Sequence, residues 1–240
     1  MNVINLISGP RNLSTAIMYS FAQRNDVTVL DEPFYGYYLK TKPLDFKHPS
    51  QKKILQTMEL DKEEILKKIN TLSETNNVFI KGMAHHFSSD TPSFILNWKN
   101  IILIRHPEKL IASFSKVIDT PTIDDIGIKK AADLFLFLKK KKKTPIVIDS
   151  DELMKNPANY LKKLCVLLKI PFTKTMLNWS KGGIPEDGIW AANWYTNVHN
   201  TKGFAIQKNK AVVLSEELQP LLKEALPYYE TLKMNILKND

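Results

Sequence analysis

Apolar positions along this chain follow two rhythms that take turns. Short dense runs at residues 3–7, 27–31, 77–81, 100–105 and 146–149 read as strands. Between them, apolar residues recur every three or four positions. Leu13, Ile17 and Phe21 put a stripe on a helix over 13–24, and Ile65, Leu66, Ile69 and Leu72 put another beyond Asp61, which with Glu64 resembles a capping box. Further helices are predicted from Pro107 to about Val117, over 124–142, from Asn156-Pro157 to about Leu168, and over 215–229. Pro107 suits a first helical turn. The run Ile101-Ile102-Leu103-Ile104 is apolar at every position, as in a strand covered on both faces. Strands alternating with helices predict an α/β fold with a mainly parallel central sheet flanked by helices. Residues 34–56, with several aromatics and lysines and with Pro43 and Pro49, read as an irregular lid or substrate loop. No repeat or linker divides the chain, so residues 1–240 are expected to form one domain.

Ligands of parallel sheets gather at the carboxyl ends of the strands, and Arg11, Glu32, Lys81 and Arg105 each follow a predicted strand. The opening segment Gly9-Pro10-Arg11-Asn12-Leu13-Ser14-Thr15 reads as a tight loop entering a helix. Such a loop aims backbone N–H groups at one small volume, where the helix dipole favours an anion. Arg11 adds a planar cation, and Ser14 and Thr15 add hydroxyls. The loop is not a standard triphosphate loop, because Leu13 precedes Ser14 and no lysine is present. A second anion element runs from Arg105 through Pro107 to Ser113, eight residues on, where a guanidinium and a helical hydroxyl could share one phosphate. Two anion sites on neighbouring strand ends suit a nucleotide phosphorylated at both its 5′ and 3′ positions.

Charge changes this picture little. The net charge is +9 and the pI about 9.4, with a lysine run at 139–143. A solvated lysine-rich surface explains it, and the excess could also steer an anionic cosubstrate. No basic motif interleaved with aromatics supports nucleic-acid binding. The single cysteine, Cys165, falls on an apolar helix face and reads as core, which fits a cytoplasmic protein without disulfides. No signal-like opening and no run approaching the ~20 apolar residues of a membrane span is present. Tyr35, Tyr37 and Tyr38 could line an acceptor pocket or form a loop cluster. Trp190, Trp194 and Tyr195 read chiefly as core or loop anchors.

On these motifs the chain resembles the sulfotransferases that use 3′-phosphoadenosine 5′-phosphosulfate (PAPS). Arg11 to Thr15 is similar to their 5′-phosphosulfate loop, with Leu13 in place of the usual glycine. Arg105 to Ser113 is similar to their 3′-phosphate element. The stretch from Ile146 to Leu153 followed by Asn156-Pro157, and the stretch from Trp179 to Phe204 with Asp187-Gly188-Ile189-Trp190 and Lys202-Gly203-Phe204, resemble further segments of a bacterial and plant branch. The resemblance implies a P-loop-like sulfotransferase fold and sulfuryl transfer from PAPS to a hydroxyl of a small-molecule acceptor, leaving 3′,5′-adenosine bisphosphate, with no metal. It implies that Gly9, Pro10, Arg11, Asn12, Leu13, Ser14, Thr15, Arg105, Ser113, Lys202, Gly203 and Phe204 bind the donor. Arg11 would face the leaving oxygen and Lys81 the sulfuryl group or that oxygen. Glu32 is the first candidate for the base that takes the acceptor proton, with His85 and His86 as alternatives. Two other readings stay open. One is an ATP-dependent small-molecule kinase, in which the strand end at Asp149 with Asp151 and Glu152 would hold magnesium. The other is a non-catalytic nucleotide-binding homologue, suggested by Leu13.

Overall fold

All five dense apolar runs become strands: β1 (Val3–Ser8), β2 (Val27–Asp31), β3 (Asn77–Met83), β4 (Lys99–Ile104) and β5 (Ile146–Asp149). They form one parallel sheet in the order β2-β3-β1-β4-β5. The computed structural model describes residues 1–42, 50–87, 92–204 and 213–239. Helix α1 (Ser14–Ala22) follows β1; α2 (Tyr35–Thr41), α3 (Gln51–Thr57) and α4 (Lys62–Thr75) lie between β2 and β3. Helices α5 (Pro107–Phe114), α6 (Ile123–Ile126) and α7 (Ile128–Lys140) connect β4 to β5. Beyond β5 come α8 (Ser150–Lys155), α9 (Pro157–Leu168), the short α10 (Ala191–Trp194) and α11 (Thr196–His199), and the long α12 (Gln219–Lys233).

The central strands β1, β3 and β4 are covered on both faces, as the dense apolar runs predict. Alternate residues divide between two cores, because side chains along a strand point to opposite faces. Ile4, Leu6, Phe79, Ile101 and Leu103 join the core shared with α1 and α9. Val3, Ile7, Val78, Ile80, Ile102 and Ile104 join the one shared with α4, α5, α7 and α12. Each such side chain, once fully buried, contributes ~1.5–3 kcal/mol. Cys165 lies fully buried on α9, where its helical spacing placed it. Among the described residues no helix is long and apolar enough to cross a membrane.

Three expectations need correction. The segment expected to be an irregular loop over 34–56 carries two helices, α2 and α3, and its residues 43–49, with both prolines, lie outside the described residues. The rings of Tyr35 and Tyr38 are the reason for α2, since both are buried in the core. The long helix expected over 124–142 breaks at Gly127, whose φ of 68° ends α6 and opens α7. Finally, 215–229 starts as a 3₁₀ turn, and α12 proper runs to Lys233 with Pro227 inside it.

Candidate functional site

The adjacency of β1 and β4 fixes the first half of the site. Chain leaving β1 turns through Arg11 at φ 60° and Leu13 at φ 68° before α1 begins. Two left-handed residues so close together fold the loop into a concave nest of N–H groups. Among the described residues no side chain caps α1, so its first-turn N–H groups keep no intrahelical partner and face this volume. The Asn12 side-chain amide donates to the Leu103 carbonyl at 3.2 Å and pins the loop to β4. Gly9 is required by close packing: a Cβ there would sit 2.3 Å from the backbone oxygen of Ile126.

Both arginines converge on this loop. Arg11 Nε donates to Ser113 Oγ at 3.0 Å, and Arg105 Nη1 donates to the Arg11 carbonyl at 2.8 Å. Pro107 opens α5, whose last turn carries Ser113 back beside the loop. Burial is the main cause that lowers the pKa of each guanidinium; for Arg105, Asp151 opposes the shift and Arg11 adds to it. Among the described residues neither arginine forms an ion pair. Two half-buried cations, a hydroxyl and an uncapped helix start therefore share one place, and a dianion would relieve all of them.

Lys202, Gly203 and Phe204 arrive from the far end of the chain. Gly203, at φ 155°, bridges to Asn178, and a Cβ on it would lie 2.5 Å from the Leu177 carbonyl. The Phe204 ring meets Trp179 edge-on at 5.2 Å, and Trp179 meets Tyr19 of α1 at 5.9 Å. Tyr19 also donates to Asp187 Oδ2 at 2.7 Å, and His199 Nε2 lies 3.0 Å from that same oxygen. The segment from Trp179 to Phe204 is thus clipped to α1, the helix that follows the loop after β1.

The second half of the site lies at the ends of β2 and β3. Register sets Asp31 opposite Lys81. Lys81 is 2% exposed, and its ammonium reaches Asp31 Oδ1 at 3.1 Å, Glu32 Oε1, and the hydroxyl of Tyr195. Those three bonds use all the donors an ammonium has, which leaves none for a sulfuryl oxygen in this arrangement. Glu32 stands at φ 47° just past the strand, and its N–H donates to the Lys81 carbonyl at 2.7 Å. His86, in the turn Ala84–Phe87, brings Nε2 to 3.7 Å from Glu32 Oε2 and stacks on Tyr35. His85 packs edge-on against His86.

The two carboxylates are treated differently. Asp31 accepts from Lys81, from the Tyr195 hydroxyl at 2.8 and 2.9 Å, and from the Gly188 N–H at 3.0 Å. For Glu32, burial pushes the carboxyl up to about 7 against the pull of Lys81, with the Asp31 charge adding to the rise. Burial alone would lower Lys81, but Asp31 and Glu32 outweigh it and hold the ammonium above its ordinary range. Beside Asp31 and Lys81, Glu32 is therefore a buried carboxyl able to exchange a proton near neutrality.

Asp31, Tyr195 and Trp190 were not singled out as functional by sequence. The signal for Asp31 was a strand end in register with Lys81, which needs the β2-β3 pairing to be seen. The carboxylate of Asp149 is committed elsewhere: it caps α8 through the Asp151 and Glu152 N–H groups and accepts from Tyr229 at 3.1 Å. That arrangement removes the feature which suggested a magnesium-holding strand end. Among the described residues no cluster of three metal-ligating side chains occurs.

A family model described as a sulfotransferase domain matches residues 1–236. The branched-chain-amino-acid aminotransferase-like proteins 2 and 1 of Arabidopsis thaliana are each 36% identical to the chain, over 238 and 236 residues. These matches take in 98% of this chain and 42% of each relative, so the chain spans about two fifths of the length of the curated relatives it matches. Among solved structures, a sulfotransferase from Alicyclobacillus acidocaldarius superposes with a TM-score of 0.61 at 10% identity, covering 98% of this chain and 95% of that one. The sulfotransferase domain of the Synechococcus PCC 7002 olefin synthase gives 0.58 at 16% identity, covering 93% and 94%. At these identities the likeness is one of fold.

Proposed function

The chain belongs to the sulfotransferase-domain family, and from that premise we propose that it moves a sulfuryl group from PAPS to a hydroxyl of a small-molecule acceptor. The observation that carries the donor assignment is the meeting of Arg11, Arg105 and Ser113 beside the uncapped start of α1. Arg105 and Ser113 would hold the 3′-phosphate. Ser14, Thr15 and the first-turn N–H groups of α1 would hold the 5′ end, and Arg11 lies between the two. Gly9, Pro10, Asn12 and Leu13 give the loop its shape, and Lys202, Gly203 and Phe204 close the nucleotide side against α1.

PAPS supplies a sulfuryl group on a good phosphate leaving group. In the step itself, the acceptor oxygen forms a bond to sulfur while the bond from sulfur to the bridging phosphate oxygen breaks. The acceptor proton goes to Glu32, and the electron pair leaves on the bisphosphate. Arg11 and the loop N–H groups face the oxygen on which charge grows, so they stabilise the transition state more than the ground state. Glu32 suits the base because its pKa sits near neutrality and one of its oxygens is not taken up by Lys81. Lys81 serves in this reading as the partner that keeps Glu32 ionisable. His86, at 3.7 Å from Glu32, supports a second reading in which the imidazole takes the proton onward.

The decisive experiment compares 3′,5′-adenosine bisphosphate with adenosine 5′-phosphate by calorimetry. Removal of a charge-assisted contact in Arg105→Ala is expected to weaken the bisphosphate by about 10- to 100-fold and the monophosphate by less than about threefold. Equal losses for both nucleotides would overturn the placement of the 3′-phosphate at Arg105.

A further inference from the structure

Glu32, read above as the base, is not held by Lys81 alone. The groups that face it are Asp31 on its own strand end, Lys81 on β3, His86 in the turn beyond, Tyr35 on α2, and Tyr195. Tyr195 comes from the segment Gly188 to Tyr195, remote in sequence from every other member of the cluster. Tyr195 is 3% exposed, and its hydroxyl is fully used. It accepts from the Trp190 indole N–H at 3.0 Å and from Lys81, and it donates to Asp31. One O–H and two lone pairs allow no more than this.

We propose that Tyr195 is a positioning residue for the transfer reaction, whose hydroxyl takes one N–H of Lys81 and gives its own to Asp31, and so keeps the lysine ammonium on Glu32. The reasoning is one of donor and acceptor balance, and it rests on Glu32 being the base. Lys81 has three N–H groups and three acceptors: Asp31, Glu32 and the phenol. The phenol in turn passes a hydrogen bond to Asp31. Without the hydroxyl, Lys81 is left with a spare N–H and Asp31 with spare lone pairs, and the two groups are already 3.1 Å apart. Buried donors and acceptors satisfy one another when they can. The ammonium then turns towards Asp31 and away from Glu32. Glu32, short of its cation, holds a proton to higher pH.

Two features make this role specific to the segment. Gly188 N–H binds Asp31 Oδ2 at 3.0 Å, so the same eight-residue stretch grips Asp31 at both ends. Asp187, the next residue back, accepts from Tyr19 of α1. The stretch that sets the base is therefore also fastened to the helix that starts at the anion loop. This gives the poorly patterned region after Pro171 a function beyond covering the core.

The test uses the full chain, without donor or acceptor. Protein carrying carbon-13 at the glutamate side-chain carboxyls is titrated by NMR, and the Glu32 resonance is assigned by its loss in Glu32→Gln. In Tyr195→Phe the Glu32 midpoint is expected to rise by about one pH unit, the effect of moving an ammonium ~1 Å away at an effective dielectric of ~20. A midpoint that stays or falls overturns the proposal. A purely structural role for the hydroxyl would lower the melting temperature and leave that midpoint in place. Binding of 3′,5′-adenosine bisphosphate checks that the variant is folded. If Tyr195→Phe does not fold, Trp190→Phe removes the phenol's other anchor and leaves every charge present; an upward shift supports the proposal, and no shift overturns it. The wild-type titration separates this from the reading of Glu32. A wild-type Glu32 that titrates with surface glutamates removes Glu32 as a poised base, whatever Tyr195 does.

Discussion

Replacing Lys81 with methionine removes the buried cation that Asp31 and Glu32 share. The side chains of Lys81, Asp31 and Glu32 are 2%, 1% and 8% exposed. At 3.1 Å and an effective dielectric of ~20, the attraction of Lys81 for one carboxylate is roughly 5 kcal/mol. Much of that is cancelled by the desolvation of both groups, so the intact pair adds little net stability. Deletion of the cation alone is different, because it leaves two adjacent buried anions, and the expected loss is about 3–5 kcal/mol. For a chain of this length that is a fall in melting temperature of roughly 6–20 °C. The loss depends on pH with a definite sign. Glu32 already has a folded pKa raised to about 7, and without Lys81 it rises further. The folded state then binds a proton that the unfolded chain, with an ordinary glutamate, has released. Stability therefore climbs as pH drops from 8 towards 5 in both proteins, and more steeply in the variant. Urea unfolding at pH 8, 7, 6 and 5 should show the gap between Lys81→Met and wild type narrowing on acidification. A gap below about 1 kcal/mol at pH 8, or one that does not change with pH, refutes the buried-charge account of this cluster.

Two more outcomes follow from the same geometry. Glu32→Gln should lower sulfuryl transfer from radiolabelled PAPS by about 10²- to 10⁴-fold and abolish the rise in wild-type activity through pH 7, while bisphosphate affinity stays within about twofold; a full-rate variant would remove Glu32 as the base. Gly9→Ala should lower both stability and bisphosphate affinity, because its Cβ would press on the Ile126 backbone oxygen at 2.3 Å and neither backbone can yield cheaply; unchanged calorimetry and melting would refute the close approach.

The parts of the site that sequence reveals are those built from neighbours in the chain. Arg11 with Ser14, and Arg105 with Ser113, each lie within one strand-loop-helix unit, so local pattern carries both. Their meeting needed only that β1 and β4 be adjacent, which is the arrangement found. Glu32 and Lys81 were visible as strand ends, but their contact depends on β2 pairing with β3, a relation between strands 50 residues apart that no local rule supplies. Tyr195 was hidden for a further reason. It comes 114 residues after Lys81, from a region whose short helices have no strong periodicity, and a buried tyrosine there is indistinguishable in sequence from a core anchor. The helices inside 34–56 were missed because aromatic and lysine content with Pro43 and Pro49 argued for a loop, whereas Tyr35 and Tyr38 gain more by tertiary burial than local propensity costs them.

Strain in the backbone points at the same places as the chemistry. Arg11, Leu13 and Glu32 are three of the non-glycine residues held at positive φ, and all three lie in the turns that follow β1 and β2. A side chain in this region costs roughly 1–2 kcal/mol relative to an ordinary conformation. Glycine at Leu13 would lower that cost, yet this chain carries leucine. The conformation is kept because surrounding bonds over-determine it: Asn12 is tied to Leu103, the Arg11 carbonyl to Arg105, and the Glu32 N–H to the Lys81 carbonyl. These three ties each cross from one strand end to another. The parallel sheet thus supplies rigid anchors at its carboxyl edge, and the anchors hold loop residues in shapes they would not adopt alone. That division of labour explains how the loop after β1 keeps its nest-like shape with leucine at position 13, and how Glu32 can sit on a strained backbone without losing its place.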